Sequence, residues 1–137
     1  MNEADTRALV ERYLTAFNAS DHEAMLACLS EDVVHDTREG ERQIGKEKFR
    51  WWLAENARHF REELADIIIM TAPGGVRAAA EFTVRGTYLA TAEGQPEARD
   101  QSYRLQAGIF FDVDDDLVTR LTDCFNRAAL KAQLEKG

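Results

Sequence analysis

Glu31-Asp32-Val33-Val34-His35-Asp36, running into Thr37-Arg38-Glu39-Gly40-Glu41-Arg42-Gln43-Ile44-Gly45, divides the chain in two. Two β-branched valines lead into a histidine and an aspartate, and a polar, charged loop follows. Helical periodicity precedes this stretch; one more helical segment follows it, and then the period changes to that of strands. Val33 to Thr37 is a short strand between those halves, and helices first with a run of strands after them make the chain α+β.

Upstream, Leu9, Val10, Tyr13, Leu14 and Phe17 recur at the spacing of one helix face over residues 4 to 18. Ser20 with Glu23 three residues later has the form of a capping box, so a second helix starts near Asp21, with Met25, Leu26 and Leu29 inward. Downstream, Gly45 serves as an N-cap flanked by Ile44 and Phe49, and a third helix spans about residues 46 to 58. Phe49, Trp52 and Leu53 face inward there. Trp51 lies off that stripe and faces either a cavity or a partner subunit.

From Phe60 the pattern is β. Ile67-Ile68-Ile69-Met70 is closed by Pro73-Gly74-Gly75, a hairpin signal. Val76 to Thr91 alternates, with Val76, Ala78, Ala80, Phe82, Val84, Gly86 and Tyr88 on one face. Gly86 inside that run suggests a bulge or a sharp bend. Gln101 to Val113 is the next strand and Asp114-Asp115-Asp116 the hairpin tip. In the last strand, Leu117 to Asn126, Leu117, Thr119, Leu121, Asp123 and Phe125 share a face. A short helix over Ala128 to Lys136 ends the chain. No repeat or linker interrupts residues 1 to 137, which read as a single domain. Helices followed by a meander of long strands give a strongly bent antiparallel sheet wrapped around three helices, with an apolar cavity in the gap.

Composition narrows the function classes. Net charge is -8, which gives no electrostatic footprint for nucleic acid and disfavours anionic membranes. No apolar run approaches the roughly 20 residues of a spanning helix. The acidic start, Met1 to Asp5, is not a signal peptide, and Cys28 and Cys124 form no CxxC pair, so reduced thiols in a cytoplasm are expected. His22, His35 and His59 lack ligand spacing, and no cofactor motif, phosphate loop or metal pattern is present.

The order α-α-β-α-β-β-β-β resembles the nuclear transport factor 2-like, or SnoaL-like, superfamily of cone-shaped α+β domains, and within it the ketosteroid isomerase-related group. Val10-Glu11-Arg12-Tyr13, Phe17-Asn18-Ala19-Ser20-Asp21, Val33-Val34-His35-Asp36, Ile44-Gly45-Lys46 and the final strand carry the resemblance. It implies that Tyr13 stands where steroid isomerases keep an oxyanion-hole tyrosine, and Asp36 where they keep the aspartate that moves the proton. Their second donor, a protonated aspartate, is matched by Gly108, and losing such a donor costs about 3–4 kcal/mol of transition-state stabilisation. Leu117-Val118-Thr119-Arg120-Leu121-Thr122-Asp123 resembles instead the strand of SnoaL-like polyketide cyclases whose aspartate acts as acid and base.

Each candidate also has a plainer reading. Asp36 could brace the loop through Arg38 or Arg42, and Asp123 could pair with an arginine in the sheet. His35 and Asp36 are neighbours on a strand and point to opposite faces, which puts His35 outside if Asp36 faces the cavity. Tyr13 could be core, although a buried hydroxyl wants a partner. Phe17, Trp52, Phe82, Tyr88, Phe110 and Phe125 are expected as cavity wall. Asn126 caps the last helix.

The expectation is therefore a small enzyme without cofactor or metal, performing acid–base proton transfer on an apolar carbonyl compound. Asp36 and Asp123 are its paired carboxylates and Tyr13 its oxyanion donor. The alternative is a non-catalytic binding or dimerisation module. The resemblance also implies a homodimer formed through the sheet.

Overall fold

Why the chain forms a cone follows from where its strands keep and lose register. The computed structural model describes residues 1–137. It contains α1 (Glu3–Asn18), α2 (His22–Ala27), β1 (Leu29–Asp36), β2 (Arg42–Ile44), α3 (Lys46–His59), β3 (Phe60–Thr71), β4 (Arg77–Tyr88), β5 (Ser102–Asp114), β6 (Leu117–Phe125) and α4 (Arg127–Lys136). The six strands form one sheet in the order β2-β1-β6-β5-β4-β3. All neighbours are antiparallel except β1 and β6, which run parallel, a departure from the all-antiparallel sheet expected. Parallel neighbours need a crossover, and here everything between β1 and β6 supplies it.

Register shifts fall between Ala65 and Ile68 on β3, between Leu29 and Val34 on β1, and at Asp112 and Val113 against β6. Each extra residue bends its strand and raises the local twist, and together they curl the sheet over α1 and α3. Asp66, at the β3 shift, adopts the left-handed conformation with φ 53°. The shift opposite Val113 also divides the face of β6. Val118 is inward before it and Leu121 after it, so the single alternation expected from Leu117 to Phe125 holds only from Leu121 onward.

Helix α1 buries Leu9, Val10, Tyr13 and Leu14 against the concave face. A capping box secures its start, with Asn2 Oδ1 accepting from Asp5 N–H and Asp5 Oδ2 accepting from Asn2 N–H. Helix α2 begins one residue later than the Ser20 signature implied: Asp21 is the cap, accepting from Ala24 N–H, and Ser20 is left-handed with φ 55°. Gly45, at φ 108°, caps α3 without a side chain, in a conformation that disfavours any other residue. Trp51 is 62% exposed and lies outside the core. Asn126 caps α4 through Ala129 N–H, and Gln133 and Gln101 tie that helix to β5.

Gly86 causes no bulge. It pairs regularly with Glu62 on β3 and Tyr103 on β5, all three on the concave face. A Cβ at Gly86 would collide with the phenol end of the Tyr103 ring. The missing side chain lets the phenol lie across β4 and donate a hydrogen bond to Glu62 on the far strand. No helix is long and apolar enough to cross a membrane.

Candidate active site

The decisive parity is that of β1. Val33 is fully buried, so His35 shares its inward face and Asp36 points to the convex side. His35, 1% exposed, has Nε2 2.8 Å from Asp123 Oδ2. Its ring packs on Phe49, with centroids 4.5 Å apart, and edge-on to Trp52 at 4.9 Å. Nδ1 is buried without a partner. In the neutral ring, hydrogen bonding therefore favours the tautomer in which Nε2 carries the hydrogen given to Asp123.

Asp36 is thereby removed from the cavity. Its carboxylate accepts from Arg42 at 2.7 and 3.1 Å and from the Thr122 hydroxyl at 2.8 Å, with Arg120 nearby. Arg120 in turn grips Asp112 with two hydrogen bonds of 2.9 Å. The hydrogen bond from Arg42 pulls the Asp36 pKa down to about 2, against the opposing effect of partial burial, with Thr122 and Arg120 adding to the fall. A group so firmly ionised is a poor proton carrier near neutrality. The two carboxylates face different spaces, and the Asp36–Asp123 acid–base pair does not exist. The reading of Asp36 as an outer-face brace, through Arg42, is the one the structure bears out. His35, expected outside, is inside.

The concave face holds a cavity of ≈ 20 Å³ between α1, α3 and the sheet, lined by Asp123, Tyr13, Arg38 and a wall that includes Phe17, Trp52, Phe82 and Phe125. Tyr13 meets Phe111 edge-on at 5.9 Å. Burial, and secondarily the charge of Asp123, hold its pKa well above the usual phenol range, which keeps the hydroxyl protonated as a donor. Two expected wall residues lie elsewhere. Tyr88 anchors the loop before β5, donating to Pro96 C=O at 2.7 Å and accepting from Ala92 N–H at 2.8 Å. Phe110 is 52% exposed on the convex face, because Ile109 and Phe111 take the inward positions of β5. Position 108, opposite Glu81 and Cys124, lies with its backbone on the cavity, and a Cβ there would press on Ala80 C=O of β4 at 2.8 Å, so the strand pair leaves little room for a side chain in place of Gly108.

A second buried constellation was not anticipated from the sequence. Arg38, from the loop after β1, folds back over the cavity and forms a bidentate pair with Glu62, at 3.0 and 2.7 Å. Its guanidinium lies 4.3 Å over the Phe125 ring and 5.8 Å from Trp52. Burial alone would raise the Glu62 pKa, but Arg38 and the hydrogen bonds from Arg38, Tyr103 and Asn56 outweigh it and hold the carboxyl below its ordinary value. Burial and the Glu62 charge push the Tyr103 phenol up. One cue was present in the sequence: Glu62 shares the inward parity of Phe60 and Leu64 at the start of β3.

Arg38 and Phe125 also line a second space of ≈ 90 Å³, which shares Asn56, Phe60 and Ala92 with an open groove of ≈ 550 Å³ beside α3. The inner cavity thus lies behind Arg38 and Phe125 as seen from that groove.

The architecture is that of a class, the cone-shaped α+β fold of nuclear transport factor 2-like proteins. More narrowly, residues 10–121 match the SnoaL-like domain, and the chain belongs to the SnoaL-like family. It is similar to two structures, each provisionally named a polyketide cyclase. One, from Silicibacter sp. TM1040, is 50% identical over 97% of both chains, with a TM-score of 0.93. The other, from Xanthomonas campestris, is 42% identical over 98% of this chain and 99% of that one, with a TM-score of 0.95. A structure from Kribbella flavida, provisionally named a ketosteroid isomerase, is 26% identical over 91% of this chain and 80% of that one, with a TM-score of 0.65. No curated protein matches.

Proposed function

We propose that the protein is an acid–base enzyme acting on a small enolisable carbonyl compound, as an isomerase or a cyclase, with Asp123 as the proton-transfer group. The observation that carries this reading is the Asp123 carboxylate on the cavity wall, held through one oxygen by His35 at 2.8 Å. In the reaction, the Cα–H bond breaks, the proton passes to the free carboxylate oxygen, and the electron pair moves onto the carbonyl oxygen. Tyr13 donates a hydrogen bond to that oxygen. Asp123 then returns the proton to another carbon of a conjugated enolate, which is isomerisation, or the enolate carbon attacks a second carbonyl, the C=O π pair moves to its oxygen and Asp123 protonates that alkoxide, which is cyclisation. The similarity to proteins provisionally named polyketide cyclases supports the second outcome.

One observation favours a different reading. A cavity of ≈ 20 Å³ holds about one water, not a substrate. So small a cavity suits a non-catalytic module, and an enzyme of this shape must widen it to admit a substrate. The test is exchange of α-hydrogens with deuterium oxide, followed by NMR across a panel of cyclic 1,3-diketones and β-keto esters. The wild type should accelerate exchange of at least one compound, and Asp123→Asn should bring it to the background rate. Acceleration that survives in Asp123→Asn sinks the assignment; no acceleration of any compound favours the non-catalytic module.

We also propose that the convex face pairs with a second copy. Ile68 and Met70 on β3 and Phe110 on β5, the strands on either side of β4, are about half exposed there. Sedimentation should show a dimer that Phe110→Glu dissociates, and a monomeric wild type would refute it.

A further inference from the structure

The acid–base reading leaves Arg38 without a task. A buried guanidinium is expensive, and a matching carboxylate rarely repays the full desolvation cost of such a pair. Two of its five N–H donors are spent on Glu62, one from each terminal nitrogen. The Nε–H and the outer terminal hydrogens make no hydrogen bond to the protein, and Arg38 lines the same cavity as Asp123. The side chain is also fixed. Glu62 grips its end, Tyr103 donates to Glu62 from behind, and the guanidinium lies over Phe125. Arg38 and Asp123, a cation and a base, line that cavity without forming an ion pair with each other.

We propose that Arg38 is the group that receives the substrate's oxygen anion, through its uncommitted N–H edge. The ligand class is then an enolate or another delocalised oxyanion, its flat apolar body against the Phe17 and Phe82 side of the cavity wall. This inference rests on the acid–base reading and adds a charged electrophile to Tyr13. A fixed cation aimed where charge develops stabilises the transition state without reorganisation, and the planar fork suits an oxygen anion better than a lysine would. Glu62 keeps the guanidinium from collapsing onto Asp123, which would otherwise be its nearest anion on the cavity wall.

The probe is 4-nitrophenol, a flat ring whose phenolate imitates an enolate and is read by its own absorbance. Titrated into wild-type protein across its pKa, it should bind at least tenfold more tightly as phenolate than as phenol, a fall of one or more units in its bound pKa. The double variant Arg38→Met/Glu62→Met removes both buried charges at similar volume and should bind phenol without that preference. Asp123→Asn should keep the preference, because the donor is Arg38. In ¹⁵N-labelled wild type, the Arg38 Nε–H resonance should move downfield on adding phenolate, a readout that needs no variant to fold. The proposal is overturned by a wild type that takes up neither form or both equally, by a double variant that keeps the preference, or by an unmoved Nε–H resonance. None of these readouts requires turnover, so a failed deuterium-exchange experiment and a failed phenolate experiment are distinguishable.

Discussion

His35 on β1 and Asp123 on β6 meet across the one parallel pair of strands in the sheet, with Nε2 2.8 Å from Oδ2. Their backbones are two residues out of step, since His35 is level with Leu121, and the contact is a diagonal between inward-facing side chains. The imidazole cannot swing away, because Phe49 and Trp52 hold its faces and edge. It fixes which oxygen of Asp123 is left for chemistry. His35→Phe keeps the packing and removes the donor. A hydrogen bond to a charged group is worth about 1.5–3 kcal/mol, so α-hydrogen exchange should fall roughly tenfold to a hundredfold. In wild type, ¹⁵N NMR of the neutral ring should show Nδ1 without hydrogen. Exchange at the wild-type rate in His35→Phe would show that Asp123 needs no orientation.

Asp36 carries the opposite expectation. Its partners Arg42, Thr122 and Arg120 all lie on the convex face, away from the cavity. Asp36→Asn should leave deuterium exchange within twofold of wild type and reduce stability by less than about 1 kcal/mol, as exposed pairs do. The pH dependence has a definite sign. A carboxyl whose folded pKa is lowered to about 2 contributes stability above its unfolded value, near 4, and loses it as the pH falls toward 2. Urea melts of wild type and Asp36→Asn should therefore converge on acidification through that window. Loss of exchange in Asp36→Asn would restore it to the site.

Much of the fold was legible because period and punctuation agree. The heptad-like stripe of α1, the alternation from Ala78 to Val84 and the Asp115-Asp116 tip each admit one reading. The site was less legible for a local reason. Val33 and Val34 are equally apolar, so the sequence carries no sign of which faces the core, and one residue of parity exchanges His35 for Asp36. Phe110 and Phe111 pose the same ambiguity on β5. The β1–β6 pairing and the return of Arg38 to Glu62 depend on the sheet order, which hydrophobic period does not encode. Asp123 was legible, because a charge between Leu121 and Phe125 stands out on an apolar face.

Gly86 permits the Tyr103 phenol to cross β4, and a methyl group there has nowhere to go. Gly86→Ala should displace the ring, break its hydrogen bond to Glu62 and destabilise the protein by about 1–3 kcal/mol in urea denaturation. Glycine in a strand is otherwise unfavourable, so alanine would stabilise the protein if the space were free. Adding Tyr103→Leu should recover part of the loss, since the shorter side chain stops short of β4. Equal stability of Gly86→Ala and wild type would mean that the phenol does not lie across that strand.

Arg38 and Glu62 test whether the buried pair is needed for the fold or only for what the cavity binds. Removing one partner leaves a charge buried alone, so Arg38→Met and Glu62→Met should each cost about 3–5 kcal/mol. Removing both should cost far less than the sum, because two apolar side chains of similar volume fill the site beside Phe125 and Trp52. Acid should reveal the same coupling. The Glu62 pKa is held below its ordinary value, chiefly by Arg38 against the effect of burial, so its contribution is present above the unfolded carboxyl pKa and disappears as the pH falls through the folded one. The double variant should lack that part of the acid sensitivity. A cycle in which the two single losses simply add would mean that the guanidinium and carboxylate do not depend on each other.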